Sequence, residues 1–93
     1  MSLIVVDFTK FTLGVDLYHF SEEATEKYII NTSNTVVSDE ICKYVMANKE
    51  INKIVFIGAE KLTKGVKKQL SSSLEAHYGY SNPIEIELKS DWQ

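Results

Sequence analysis

An acid stands near the end of an otherwise apolar run, Leu3-Ile4-Val5-Val6-Asp7-Phe8. Taking a carboxylate out of water is costly unless it is paired or used, and two partners fit the position of Asp7. Divalent cations held by several carboxylates would clamp a phosphodiester during hydrolysis. The amides and hydroxyls of the following turn, from Thr9 to Thr12, would instead bond the carboxylate as a local cap. A metal site would have to recruit further acids, and the candidates are Asp39 or Glu40, together with Glu60. Each also reads as a solvated charge, since acids in the first turn of a helix are favourable without any metal.

Lys61, Lys64, Lys67 and Lys68 crowd one short segment, three of them at the spacing of one helix face. Such a face can meet phosphate, but no aromatic residues are interleaved for base stacking, and a solvated helix surface is the plainer reading. His19 and His77 stand apart from each other and from Cys42, so no transition-metal ligand set is expected. Cys42 reads as a small buried hydrophobe. Tyr18, Phe20, Tyr28, Tyr44, Phe56, Tyr78 and Tyr80 read as core or interface mass.

The elements that must position these residues follow from hydrophobic period. A chain of 93 residues, 44% hydrophobic and 25% charged, is expected to form one globular domain over 1–93. Its net charge of −3 argues against general attraction to nucleic acid or anionic membrane. No apolar run approaches the roughly 20 residues that span a bilayer, and a single cysteine fits a reducing compartment, so a cytoplasmic location is expected.

Leu3 to Phe8 is apolar on both faces apart from Asp7, as in a central strand covered on two sides. Leu13, Val15 and Leu17 alternate with Gly14, Asp16 and Tyr18, predicting a second strand paired to the first as a hairpin. Glu26 to Thr32 predicts a third strand. Val37, Ile41, Tyr44, Val45 and Asn48 then fall at helical spacing, with Thr35 or Ser38 as cap. Lys53 to Gly58 is too short and too β-branched for a helix and predicts a fourth strand. Leu62, Val66, Leu70, Leu74 and His77 predict a second helix ending before Gly79, and Ile84, Ile86 and Leu88 a last strand. The final residues, Lys89 to Gln93, read as a tail.

The order is βββαβαβ. With an acid on the first strand, it resembles the ribonuclease H-like fold, whose superfamily also supplies the halves of actin-like and sugar-kinase-like ATPases. The segments that carry the resemblance are "IVVDFTKFTLGVDLY" and "KIVFIGAEKLTKGVKKQL", within a pattern covering Leu3 to Leu88. It implies an α/β fold with a mixed five-stranded sheet of order 3-2-1-4-5 and two helices on one face. In the nuclease branch it implies Asp7, Glu40 and Glu60 as catalytic acids, with Asp7 and Glu60 as ligands of Mg²⁺. In the ATPase branch it implies phosphate contacts at Thr9, joined here by Lys61, Lys64 and Lys68. ATP hydrolysis is not expected, because Phe8 stands where that branch has glycine, and Ala59 where it has a second one.

Right-handed crossovers put both helices on one face, leaving the other without a cover although the central strands are apolar on both sides. Complete family members usually cover that face with a helix after the last strand, for which "KSDWQ" is too short. An exposed apolar patch of several hundred Å² normally marks an interface, with Leu3, Val6, Leu17 and Phe56 as candidate interface residues. Two functions remain open. One is a non-catalytic assembly module without a cofactor, acting as a homodimer or docked to a protein partner. The other is a minimal Mg²⁺-dependent nuclease or resolvase acting on nucleic acid.

Overall fold

β-branched and aromatic residues gather in five short runs and helix formers in two, and the chain folds accordingly. The computed structural model describes residues 2–10, 14–33 and 36–92. The strands are β1 (Ser2–Asp7), β2 (Gly14–Phe20), β3 (Thr25–Asn31), β4 (Ile51–Ile57) and β5 (Glu85–Lys89). Helix α1 (Val37–Ala47) lies between β3 and β4, and α2 (Glu60–Tyr78) between β4 and β5. One mixed sheet of order β3-β2-β1-β4-β5 results, with β1 antiparallel to β2 and parallel to β4.

Register assigns the two faces. Ile4 lies beside His19 and Ile54, and Val6 beside Leu17 and Phe56. Ile4, Val6, Leu17, Ile54 and Phe56 join Ile41 and Val45 of α1 and Leu70 and Leu74 of α2 in one buried cluster, so both helices cover the same face. The alternate residues Leu3, Val5 and Asp7, with Tyr18, Phe20, Val55 and Ile57, point to the opposite face. There a smaller cluster forms around Val5, Val55 and Ile57.

Three details depart from the helical pattern expected of the sequence. Leu62 is exposed and Thr63 is fully buried. A step of four residues drifts about 40° round a helix of 3.6 residues per turn, so Leu62 leaves the face of Leu70, while Thr63, seven residues from Leu70, stays on it. The Thr63 hydroxyl donates back to the carbonyls of Ala59 and Glu60, both at 3.3 Å, which allows its burial. His77 is seven residues from Leu70 and so on the same face, but it sits in the last turn of α2 and is exposed. At the start of α1 the N-cap is Val36, without a side-chain bond. Ser38 does not cap but is buried and donates to Gln69 Oε1 of α2 at 3.3 Å; the other expected cap, Thr35, lies outside the described residues, as do Thr12 and Leu13.

Candidate functional site

Asp7 ends β1 on the helix-free face and is only 4% exposed. Its Oδ1 accepts from the Thr9 amide at 2.8 Å and the Thr9 hydroxyl at 2.6 Å, the turn-capping arrangement open to an Asp two residues before a donor. Its Oδ2 accepts from the indole Nε1 of Trp92 at 2.9 Å. Burial pushes the Asp7 carboxyl up, but the bonds from Thr9 and Trp92 and the charge of Lys10 outweigh it and hold the group below its ordinary value. The carboxylate therefore stays ionised with three donors around it.

Asp16 of β2 sits directly opposite Asp7 in the register. Like charges so placed repel, and each has its own relief: Asp7 has the donors just named, and Asp16 has Lys27 Nζ at 3.8 Å. The same ammonium lies 5.6 Å from the centre of the Tyr18 ring.

The other acids do not converge on Asp7. Glu40 belongs to α1, across the sheet from the face Asp7 shares, and pairs with Lys43 at 3.7 Å. Glu60 opens α2 and pairs with Lys64 at 2.8 Å; that lysine holds the Glu60 carboxyl below its ordinary value. Among the described residues, no group of three or more His, Cys, Asp or Glu side chains is arranged to hold a metal ion. Both donors of Thr9 are turned to Asp7, while Lys61, Lys64 and Lys68 lie on the exposed surface of α2. Thr9 and these lysines form no shared phosphate cradle.

Of the four residues expected in an interface, Leu3 faces the helix-free side. Val6, Leu17 and Phe56 face the helices instead and are 0%, 2% and 0% exposed. Strand parity decides this, since one strand shows each face only every second residue. Val5, Tyr18 and Val55 occupy the corresponding places on the open side. That side shows less open apolar surface than two apolar strand faces imply, because Val5, Val55 and Ile57 are only 6%, 7% and 2% exposed. Larger neighbours account for it: Leu3, Tyr18 and Phe20 pack on the three, and Trp92 meets Tyr18 edge-on with ring centres 5.2 Å apart.

Ion pairs flank this apolar strip on both sides. Lys53 reaches Glu85 at 3.4 Å and Glu87 at 3.0 Å, and Lys89 reaches Glu87 at 3.5 Å, over β4 and β5. Lys27 and Asp16 flank it over β2 and β3. A shallow depression of about 410 Å³ opens at the amino end of the strip, between Leu3, Phe20 and Lys53.

A second polar cluster lies on the helix side. His19 is 5% exposed, with Nδ1 2.7 Å from the Tyr44 hydroxyl and Nε2 3.1 Å from Ser2 Oγ. Glu50 Oε1 lies 3.8 Å from Nε2. The Tyr28 hydroxyl donates to Glu26 at 2.7 Å, and its ring packs on Tyr44 with centres 5.4 Å apart. Burial pushes the Tyr44 phenol up. Cys42 is buried, and its thiol is pushed up by burial and by Asp39, which disfavours the reactive thiolate.

Sequence reasoning missed Trp92, Asp16 and His19. Extending the alternation Val15, Leu17 by one step would have turned His19 inward, and hairpin register would have set Asp16 beside Asp7. Nothing local marks Trp92 as a partner of a residue 85 positions away. No helix among the described residues is long and apolar enough to cross a membrane. No family model matches the chain, and no curated protein or solved structure matches it.

Proposed function

We propose that this chain is a non-catalytic α/β assembly module, resembling a single ribonuclease H-like lobe, that pairs with a second copy through the helix-free face of its sheet. The observation that carries the reading is that face itself: Leu3, Val5, Tyr18, Phe20 and Val55 form an apolar strip with ion pairs on either flank. An apolar centre inside a charged rim is the anatomy of a protein interface. Two sheets packed face to face, about 10 Å apart and nearly aligned, bury such a strip.

The flanks supply a reason for a second copy as occupant. A two-fold axis along the strands sets β3 of one copy against β5 of the other. Lys27 then faces Glu85 and Glu87, while the apolar strip meets itself. The catalytic reading is weaker, since Asp7 has its donors in Thr9 and Trp92, and Glu40 and Glu60 have lysines.

Sedimentation equilibrium at micromolar concentration tests the proposal. Leu3→Lys or Phe20→Lys should give a folded monomer from a dimeric parent, judged by unchanged circular dichroism. Val6→Lys, aimed into the helix layer, should unfold the chain instead. A parent that stays monomeric throughout would overturn the homodimer.

A further inference from the structure

The row of residues at the carboxyl end of the sheet runs Lys89, Ile57, Asp7, Asp16 across β5, β4, β1 and β2. The chain leaves β5 at Lys89, yet Trp92 bonds Asp7 two strands away and packs on Tyr18 of β2. Two strand spacings are about 10 Å, which three extended residues just cover. Ser90 leaves the sheet beside Gly58 and Glu60 at the start of α2, and the Trp92 side chain reaches the helix-free side at Asp7 and Tyr18. Ile57 is 2% exposed although no helix lies on its face.

We propose that residues 90–92 are a strap closed over the carboxyl half of the docking face, and that whatever docks there must first lift it. The inference rests on the assembly reading for the identity of the docking copy, but the closed strap is argued from its own contacts. Those contacts are few and exchangeable. Trp92 keeps 45% of its surface exposed, and Ser90 and Asp91 are exposed. Its anchors are one hydrogen bond to a carboxylate and one edge-on ring contact. A second copy laid face to face needs the Tyr18 surface that the indole occupies, so strap and partner compete for one site. The fraction of chains with the strap lifted then scales the apparent affinity.

Two measurements on the full chain and on Trp92→Ala, with removal of residues 90–93 as a second variant, test this. Sedimentation equilibrium should show self-association tightened about tenfold in both variants, as expected when a competing closed state is removed. Binding of an anilinonaphthalene sulfonate dye to the monomer should rise in both, because apolar surface is uncovered. Unchanged dye binding, or association weakened in both variants, would overturn the strap, the latter by making Trp92 part of the interface. If no form associates but dye binding rises, the homodimer fails and the strap stands. If association is unchanged and dye binding is flat, the strap fails and the homodimer stands. The single tryptophan gives a further readout: its emission should shift with protein concentration across the association range, and a constant emission through dimer formation would count against lifting.

Discussion

Trp92 Nε1 donates to Asp7 Oδ2 at 2.9 Å, joining the end of the described chain to the end of its first strand across 85 residues. The acid at the close of an apolar strand thus has both its oxygens bonded, one by its own turn and one by a side chain from the opposite end of the sequence.

Asp7→Ala removes the acceptor of three bonds and should destabilise the fold by about 1 to 3 kcal/mol, measured by urea denaturation at pH 7. Trp92→Phe retains a ring for Tyr18 but loses the indole donor, and its cost should be smaller. An unchanged midpoint for Asp7→Ala would remove the structural role.

The same group sets a pH dependence. The folded Asp7 carboxyl is held below its ordinary value, so its contribution is complete above the unfolded value of about 3.9 and fades as pH falls through the folded one. The stability gap between the parent and Asp7→Asn should therefore narrow between neutral pH and the region below about pH 4. A gap that widens on acidification would contradict the sign.

Gly58 follows β4 with φ of +148°, and a Cβ built there would lie 2.9 Å from Phe8 Cβ. Phe8 is itself held by its amide, which donates to the Ile57 carbonyl at 2.8 Å, and by a tilted ring contact with Phe56. Gly58→Ala should cost about 1 to 3 kcal/mol through backbone strain alone, with the clash added. Gly65, with open space around it, should accept alanine with a gain of up to about 1 kcal/mol. Thermal melts of the two variants should move in opposite directions.

Divalent binding is expected to be weak. Asp7 is engaged by donors on the open face, and Glu40 and Glu60 sit in the helix layer with lysine partners. Titration of Mg²⁺ or Mn²⁺ followed by calorimetry should find no site tighter than roughly 100 μM, about −5.5 kcal/mol. A tighter site that disappears in Asp7→Asn would restore the nuclease alternative.

The sequence by itself determined the element order, which follows from local information: the period of Val15 and Leu17, the four-residue recurrence through Leu70 and Leu74, and the short β-branched run of β4. The strand order 3-2-1-4-5 came from the resemblance that this order carries, and with it the handedness of the crossovers put both helices on one face. The turn cap at Asp7 was legible locally, because Thr9 is two residues away. What only the tertiary structure decided was the direction each strand face took. One residue of phase separates Val6 under the helices from Val5 on the open side, and two apolar faces carry no pattern that distinguishes them. It also decided the partners made by distant segments. His19 meets Tyr44, Lys27 meets Asp16 and Trp92 meets Asp7 because the sheet brings them together, and contacts between remote positions leave no period in the chain to read.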